Sequence, residues 1–422
     1  MNKNLITEED INKLGLRAKK ASYLVSTLNT KTKNDILLDA AENILKNKKM
    51  LINENEKDVQ QNKEKLTSST LDRLILDDKR IEGMCSGLVE ISKLEDPVGK
   101  IIEEWSRPNG LQIQKVSIPL GVIGVIYESR PNVAADAAGL CLKSGNTLIL
   151  RGGSESFLSS SLIVRLINES LKKFKIPEGA LQNIPTKDRS AVGFLLKMSN
   201  YVDVIIPRGG KSLIERVSNE SKVHVIKHLD GICHTYIHRS AKPDLCNNVS
   251  VNAKMRRPGI CGATETILFD EEVLRSHLPQ IINSLKKLDC EVRGDEKVVS
   301  LDNSIKKATK KDWATEYLDK IVSIKSIRNG VQEAVEHINN FGSGHTDAIL
   351  SEDPKVVEYF LKNVDSGIVM HNTSTQFADG GEFGMGAEIG ISTSKVHARG
   401  PVGVSQLTSF KYKVRGSGQI RP

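Results

Sequence analysis

Short, almost wholly apolar segments alternate with amphipathic helical segments along most of this 422-residue chain. The first such series comprises strand Val122–Tyr127, helix Val133–Lys143, strand Thr147–Leu150, helix Phe157–Phe174, strand Val202–Ile206, helix Ser212–Ser218 and strand Val223–Ile226. Strands that are apolar on both faces and separated by helices are typical of a parallel sheet with helices covering both sides. The sequence therefore predicts an α/β fold.

A second alternating series follows and is long enough to form a domain of its own. It comprises helix Asp244–Lys254, strand Thr264–Leu268, helix Glu271–Lys287, strand Ile321–Ile324, helix Val331–Asn340, strand Asp347–Leu350, helix Lys355–Asn363 and strand Gly367–His371. The two series predict two parallel-sheet domains, and we expect the boundary near Leu229-Asp-Gly231.

The segments outside the two series have different patterns. Residues 11–65 and 69–93 carry apolar side chains at helical spacing on a strongly charged background. Residues 101–118 read as a β-hairpin around the turn Pro108-Asn-Gly110, and residues 408–414 read as a strand close to the C-terminus. These segments predict helices before the first sheet and a small separate β element.

Charge and segment composition exclude several classes of protein. No stretch approaches 18 uninterrupted apolar residues, the N-terminus lacks an apolar leader, and the six cysteines form no CxxC pair. We therefore expect a cytoplasmic protein with free thiols. The net charge of +8 favours anionic ligands, but an RNA-binding role would rest on charge alone, because aromatic residues make up only 4% of the chain.

Two glycine-rich loops follow predicted strands and are candidate anion sites. The loop Pro207-Arg-Gly-Gly-Lys211 precedes a helix, and Leu150-Arg-Gly-Gly-Ser154 follows another strand. A helix N-terminus offers unpaired N–H groups to a phosphate, and ligands of open α/β sheets bind at the carboxyl ends of strands. We assign Arg151, Gly152, Arg208, Gly209 and Gly210 to cofactor binding, with an ordinary strand-to-helix turn as the alternative. Neither a Walker loop nor a GxGxxG fingerprint is complete here.

Cys261 is the cysteine with the surroundings of a nucleophile. It lies in Arg256-Arg-Pro-Gly-Ile-Cys-Gly262, where nearby cations and flanking glycines favour a reactive, approachable thiolate. A buried structural thiol is the alternative, and it is the expected state of Cys85 and Cys141. His224 and His228 have an i, i+4 spacing but no third ligand at a suitable spacing, so no metal site is predicted.

Several long motifs occur in an order that identifies a family. The chain carries Pro119-Leu-Gly-Val-Ile-Gly-Val-Ile-Tyr-Glu-Ser-Arg-Pro-Asn132, Gly145-Asn-Thr-Leu-Ile-Leu-Arg-Gly-Gly-Ser-Glu155, Phe341-Gly-Ser-Gly-His-Thr-Asp-Ala348 and Ala398-Arg-Gly-Pro-Val-Gly-Val404. Together with the segment ending at Cys261, these motifs resemble the γ-glutamyl phosphate reductases of the aldehyde dehydrogenase superfamily. The resemblance covers residues 11–422 and implies an aldehyde-dehydrogenase-like fold.

The resemblance also implies a domain plan. It places an NADPH-binding domain at 1–100 and 119–230 and a catalytic domain at 231–395. The hairpin 101–118 and the C-terminal segment 396–422 would form the oligomerisation element, so a homo-oligomer is expected. A further expected partner is glutamate 5-kinase, the enzyme that would supply the unstable acyl phosphate.

Roles for individual residues follow from the resemblance. Cys261 matches the nucleophile and Asn132 matches the side-chain donor of the oxyanion hole. Arg151 stands where relatives carry a lysine near the adenosine ribose, so contact with the 2′-phosphate of NADPH is expected. Glu316 stands where relatives place a glutamate on the nicotinamide ribose. Three cations close to the nucleophile are expected to hold the leaving phosphate, and they are Lys254, Arg256 and Arg257.

The implied reaction is the NADPH-dependent reduction of L-glutamyl 5-phosphate to glutamate 5-semialdehyde and phosphate, through a thioester on Cys261, in proline biosynthesis. Hydrolytic aldehyde dehydrogenases carry a general-base glutamate where this chain reads His228-Leu-Asp-Gly231. This departure fits a thioester that exchanges with phosphate, although Asp230 as a substitute base stays open. The alternative function is another acyl-phosphate or acyl-thioester reductase of the superfamily.

Overall fold

The computed structural model describes residues 6–227 and 229–421, apart from the side chains of residues 68 and 69. The elements before the first glycine-rich loop are α1 (Glu8–Val25), α2 (Thr30–Lys46), α3 (Lys48–Asn62), α4 (Ser68–Leu74), α5 (Asp78–Lys93), β1 (Ile101–Ser106), β2 (Gln112–Pro119), β3 (Val122–Tyr127), α6 (Val133–Lys143) and β4 (Thr147–Gly152). The next elements are α7 (Phe157–Lys173), β5 (Leu181–Asn183), α8 (Ser190–Leu195), β6 (Val204–Arg208), α9 (Lys211–Glu220) and β7 (His224–Val225).

The later part of the chain also alternates between strands and helices. Its first elements are β8 (Cys233–Ile237), α10 (Pro243–Met255), β9 (Thr264–Asp270), α11 (Glu271–Lys286), β10 (Glu291–Gly294), α12 (Glu296–Leu301), β11 (Lys306–Lys307) and β12 (Ile321–Ile327). The remaining elements are α13 (Val331–Phe341), β13 (Thr346–Leu350), α14 (Pro354–Asn363), β14 (Ile368–His371), β15 (Ile391–Ser392), β16 (Gly400–Pro401) and β17 (Thr408–Arg415).

The chain divides into two compact units. Unit 1 contains Met1–Lys227, Gly384–Gly390 and Val402–Pro422, and unit 2 contains His228–Phe383 and Ile391–Pro401. Unit 2 is therefore inserted into unit 1, and the chain returns twice to unit 1 and once to unit 2. The units are described separately below.

Unit 1 is built on a parallel sheet with the strand order β5-β4-β3-β6-β7. Strand β3 is buried along its whole length, which explains its uninterrupted apolar sequence. The chain runs from β3 outward through β4 to β5 and then returns to place β6 on the other side of β3. This reversal creates a crevice at the carboxyl ends of β3 and β6, the usual ligand site of such sheets.

A small antiparallel sheet, in the order β1-β2-β17, also belongs to unit 1. The predicted hairpin provides β1 and β2, and the predicted C-terminal strand pairs with β2 from Thr408↔Pro119 to Arg415↔Gln112. Apolar side chains remain exposed on this sheet, including Ile101 and Tyr412.

Unit 2 is built on a seven-stranded parallel sheet in the order β11-β10-β12-β9-β8-β13-β14. Its main core lies between β9, β10 and β12 and the helix α11, whose residues Leu278, Ile281 and Leu285 are fully buried. The two parallel sheets and the small antiparallel sheet confirm the predicted α/β, aldehyde-dehydrogenase-like fold.

The predicted series omits one of the central strands of unit 2, β8. Its sequence, Cys-His-Thr-Tyr-Ile, looks polar, yet all five residues are buried. The polar atoms are paired across the sheet: His234 Nδ1 lies 2.8 Å from Asp347 Oδ1, and the Thr235 and Thr264 hydroxyls are 2.7 Å apart. A prediction based on hydrophobic pattern misses a core strand that carries buried polar side chains of this kind.

Candidate active site

The crevice at the carboxyl ends of β3 and β6 contains a cavity of about 280 Å³. Three arginines line it, Arg151 at the end of β4, Arg189 at the start of α8 and Arg216 on α9. Its other lining residues are Ile126, Tyr127, Glu128, Val192, Ser212 and Leu213. Three guanidinium groups around one small cavity are suited to a polyanionic ligand.

Arg151 is buried, with 6% of its surface exposed. Its terminal nitrogens donate to the main-chain carbonyls of Gly152 at 2.6 Å, Asp188 at 3.1 Å and Lys187 at 3.3 Å. Burial holds the pKa of the Arg151 guanidinium below its usual range, against the raising effect of the nearby Glu155 carboxylate. Its Nε has no hydrogen-bond partner among the described residues. Arg151 therefore braces the cavity wall, and its Nε–H is left without a partner among the described residues.

The loop Arg208-Gly-Gly210 joins β6 to α9 as predicted, but one of its N–H groups is already paired. The N–H of Gly210 donates to Glu128 Oε2 at 2.9 Å, and a Cβ on Gly209 would lie 2.4 Å from the same oxygen. A carboxylate of the protein thus occupies the position predicted for a phosphate oxygen at this helix N-terminus. The sequence motif gives no sign of this pairing.

Asn132 immediately precedes α6, with its side chain partly exposed. Its amide Nδ2 donates to Asp136 Oδ2 at 2.9 Å, one helical turn later. This bond fixes the amide orientation and leaves the second N–H of Nδ2 for another acceptor. Burial raises the pKa of Asp136 to about 6, against the lowering effects of Asn132, Arg208 and Arg130.

The raised pKa of Asp136 predicts a pH-dependent stability difference. Because the folded-state pKa lies above the unfolded value, Asp136 lowers the free energy of unfolding increasingly as the pH rises from about 4 to about 6. The whole shift corresponds to about 3 kcal/mol, and partial solvent contact reduces the expected effect to about 1–2 kcal/mol. We expect Asp136→Asn to be more stable than the parent protein by that amount at pH 8, with the gain disappearing near pH 4. Urea unfolding across this range tests it, and a pH-independent difference would refute it.

In unit 2, Cys261 lies in a turn between α10 and β9, and its side chain is partly exposed. The other five cysteines are buried. Desolvation raises the pKa of Cys85 and Cys290 to about 11 and that of Cys246 to about 12. The pKa values of Cys141 and Cys233 are raised further by the same cause. Of the six thiols, only Cys261 is accessible to a substrate.

The loops that contact the nucleophile precede strands of the unit 2 sheet. The N–H of Gly231, before β8, donates to Glu316 Oε1 at 2.9 Å, before β12. A Cβ on Gly231 would lie 2.2 Å from the Cys261 carbonyl oxygen and 2.6 Å from its Cα. The Cys233 thiol donates to the same carbonyl oxygen at 3.1 Å. The loops around Cys261 thus lie at the amino ends of the unit 2 strands. The cavity of unit 1, in contrast, lies at the carboxyl ends of the strands of its own sheet.

The three cations predicted to hold phosphate have different environments. Arg256 and Arg257 are exposed in the segment before Cys261. Lys254 is fully buried, and its Nζ lies 2.5 Å from Glu265 Oε2, which is also fully buried. An ammonium enclosed by a carboxylate and without exposed surface does not fit the role of a phosphate ligand. For Arg256 and Arg257 the phosphate role stays a prediction.

The predicted residues thus fall into two groups. Unit 1 brings Arg151, Gly152 and the 208–210 loop to one edge of its sheet, and unit 2 brings Glu316 into contact with the segment beside Cys261. Sequence analysis did not single out Arg189, Gly231 or Glu265. Gly231 could have been recognised from the sequence, because it ends the stretch in which hydrolytic relatives carry their general base. Arg189 and Glu265 are recognisable only from the three-dimensional structure.

Metal binding and membrane crossing can be considered for the described residues. Within residues 6–227 and 229–421, no three His, Cys, Asp or Glu side chains are grouped to hold a metal. In the same part of the chain, every helix is too short or too polar to cross a bilayer. His228 lies outside the described residues.

Comparison with known proteins places the chain in a family. The Aldehyde dehydrogenase family profile matches residues 2–320. Gamma-glutamyl phosphate reductase of Rhodospirillum rubrum is 55% identical over 97% of this chain and 96% of its own, and that of Mesorhizobium japonicum is 54% identical over 97% and 96%. The crystal structure of the Thermotoga maritima gamma-glutamyl phosphate reductase has a TM-score of 0.94 and 40% identity, covering 98% of this chain and all of that one. The chain belongs to the aldehyde dehydrogenase family and, within it, to the γ-glutamyl phosphate reductases.

Proposed function

We propose that the protein reduces L-glutamyl 5-phosphate to L-glutamate 5-semialdehyde and phosphate, with NADPH, as a step of proline biosynthesis. The observation that carries this proposal is Cys261, the accessible thiol in a chain whose relatives at over 50% identity are named for this reaction. In the reverse direction, this reaction is that of an NADP-dependent phosphorylating aldehyde dehydrogenase.

The chemistry begins at the thiolate of Cys261, which attacks the acyl carbon of the acyl phosphate. The backbone N–H of Cys261 is the proposed oxyanion donor within unit 2, and the family resemblance adds the side-chain amide of Asn132 as a second donor. Phosphate then departs to leave a thioester. Arg256 and Arg257 hold the departing phosphate. When bound, NADPH would supply the hydride that reduces the acyl carbon. Collapse of the resulting hemithioacetal expels the Cys261 thiolate and releases the aldehyde.

The residues of unit 1 suit the phosphate-bearing part of NADPH. The three arginines of the cavity provide charge for an adenosine 2′-phosphate, and the buried Nε of Arg151 has no hydrogen-bond partner among the described residues. The 208–210 loop at the N-terminus of α9 remains the proposed pyrophosphate contact, and this contact requires Glu128 to release the N–H of Gly210. In unit 2, the Glu316 carboxylate is proposed to bind the nicotinamide ribose.

Cofactor selectivity provides a prediction about Arg189. Arg151 is committed to three carbonyls and Arg216 is paired with Glu220 at 3.1 Å, whereas Arg189 is exposed at the cavity. We expect Arg189→Ala to weaken NADPH binding about 10- to 100-fold and NADH binding less than about 3-fold, the effect of one charge-assisted bond. Fluorescence titration with both cofactors measures this.

The matched control for Arg189 is a neighbouring cation outside the cavity lining. Lys187→Ala removes the same charge two residues away, and we expect its effect on NADPH to stay below about 3-fold because the long-range field is screened. Arg151→Ala is expected to weaken both cofactors, since it removes a brace of the wall. Equal losses of NADPH and NADH binding in Arg189→Ala would contradict the assignment.

The small β1-β2-β17 sheet supports a homo-oligomer. Both outer strands leave backbone groups unpaired at the sheet edge, and Ile101, Ile102, Tyr412 and Val414 are about half exposed. Exposed apolar strands at an edge are suited to pairing with a second copy.

We also propose that the protein is cytoplasmic. We further propose that it receives the labile acyl phosphate directly from glutamate 5-kinase.

The reaction class is tested by following NADP⁺ reduction with glutamate 5-semialdehyde, with and without phosphate. The proposed function predicts phosphate-dependent activity, because phosphate must attack the thioester to complete the reverse reaction. Equal activity without phosphate would instead indicate a hydrolytic enzyme, with Asp230 as the candidate base. Inactivity of the folded protein, accompanied by activity on another acyl phosphate or acyl thioester, would favour the alternative reductase.

A further inference from the structure

A buried ion pair joins the two ends of the nucleophile loop. Lys254 lies in the last turn of α10, Glu265 lies on β9, and Cys261 is in the loop between them. Lys254 Nζ is 2.5 Å from Glu265 Oε2, and neither side chain has exposed surface. The pair therefore closes the loop at its base and sets the distance between its ends.

The second oxygen of Glu265 reaches a different loop. Glu265 Oε1 accepts a hydrogen bond of 3.3 Å from the N–H of Leu318. Leu318 has a φ of +52°, in the left-handed region, where a branched side chain is unfavourable unless the surroundings stabilise it. Lys254 Nζ also lies 5.9 Å from the centre of the Tyr317 ring. The same ion pair thus holds the turn 316–318.

That turn leads back to the nucleophile. Glu316 Oε1 accepts the N–H of Gly231, whose Cα is so close to Cys261 that a Cβ would overlap the Cys261 backbone. The contacts form a closed circuit from Lys254 to Glu265, the 316–318 turn, Gly231 and Cys261. Each link is a contact within unit 2.

An ion pair is not the most stable way to fill a buried volume. Removing two charges from water is expensive, and well-packed apolar side chains of similar size often give equal or greater stability. Desolvation raises the pKa of Glu265 to about 7 although Lys254 acts in the opposite direction. Apolar side chains in these positions could not accept hydrogen bonds. The Glu265 carboxylate accepts from Lys254 Nζ with one oxygen and from the Leu318 N–H with the other.

We propose that Lys254 and Glu265 are a positioning pair that fixes the Cys261 loop and the Glu316 turn in their working geometry. Lys254 is then a fixed internal cation and not a ligand of the leaving phosphate. The proposal rests on the proposed function in one respect, that Cys261 is the nucleophile, and it deepens that function by naming the residues that hold the nucleophile in place.

The test separates positioning from stability by neutralising both charges together. In the single variants Lys254→Met and Glu265→Leu, one charged partner stays buried alone, and we expect the Tm to fall by about 5–15 °C. In the double variant Lys254→Met/Glu265→Leu, we expect the Tm to recover to within about 3 °C of the parent protein. Its kcat is expected to remain about 10- to 100-fold low, because a displaced nucleophile loses near-attack geometry.

A second readout does not depend on turnover. The rate of Cys261 alkylation by iodoacetamide, followed by mass spectrometry of the Cys261 peptide, is expected to change at least 5-fold in the double variant. This readout distinguishes two failures. Absence of phosphate-dependent activity in the parent protein would overturn the proposed function, whereas an unchanged alkylation rate in the double variant would overturn the positioning pair.

A matched control exists in unit 1, where Lys33 and Asp96 form a second buried lysine–carboxylate pair at 2.9 Å. Lys33→Met/Asp96→Asn is expected to alter the Tm while leaving kcat and Cys261 alkylation unchanged. Two results would refute the proposal. One is recovery of parent kcat together with Tm in the Lys254/Glu265 double variant. The other is a rise in the phosphate KM alone in Lys254→Met, which would restore Lys254 as a phosphate ligand.

Discussion

Replacing Cys261 with alanine is expected to lower phosphate-dependent NADP⁺ reduction by at least about 10³-fold. No other cysteine can take its place, because the remaining five are buried and their thiols have raised pKa values. The fold should survive, since the contacts described for Cys261 involve its backbone. Circular dichroism and an NADPH titration are expected to match the parent protein.

The control for this variant is a second cysteine of unit 2. Cys246 is fully buried on α10, and Cys246→Ala is expected to lower the free energy of unfolding by about 1 kcal/mol while keeping parent kcat. Residual activity above about a tenth of the parent value in Cys261→Ala would remove Cys261 from the role of nucleophile. The reaction would then have to proceed by direct hydride transfer.

Gly231→Ala is the second variant with a large expected effect, although it changes no chemical group. The new Cβ would lie 2.2 Å from the Cys261 carbonyl oxygen and 2.6 Å from its Cα, and backbone cannot move aside as a flexible side chain does. We expect the Cys261 loop to shift by a fraction of an ångström or more, with kcat falling about 10²-fold. The free energy of unfolding should fall by about 1–3 kcal/mol. Steady-state kinetics and urea unfolding measure the two effects.

The control for Gly231→Ala is Gly83, a glycine on helix α5. A Cβ on Gly83 would meet no atom within 4 Å, so Gly83→Ala should leave kcat unchanged and raise stability by about 0.5–1 kcal/mol, the helix-propensity gain. A kcat loss in Gly231→Ala no larger than in Gly83→Ala would show that the loop accommodates the methyl group. The close approach would then have no catalytic meaning.

Much of the fold follows from local pattern, because its strands are buried on both faces and its helices are amphipathic. The predicted helix Val133–Lys143 and strand Val122–Tyr127 coincide with the observed elements to the residue. Strand β8 was omitted because its polar residues are neutralised by partners far away in sequence, such as Asp347 for His234. No local pattern contains those partners.

The candidate site was predictable to a lesser degree, and for a related reason. Cys261 could be selected because loop position and neighbouring cations are local features. Lys254 was assigned to phosphate because charge is visible in a sequence, whereas its burial against Glu265 is not. The loops before β8, β9 and β12 meet at the amino ends of the unit 2 strands, and the common rule for ligand sites directs attention to the opposite ends.

The pairing of β17 with β2 has a consequence for synthesis of the chain on the ribosome. Strand β17 emerges roughly 290 residues after β2, which at about 5–20 residues per second means a delay of about 15–60 s. Throughout that interval the edge of β2 that β17 later fills stays open, and the whole of unit 2 is synthesised before this edge is filled. Nascent chains on one polysome therefore present the same vacant strand position side by side, so holdase chaperones would be most needed during this interval.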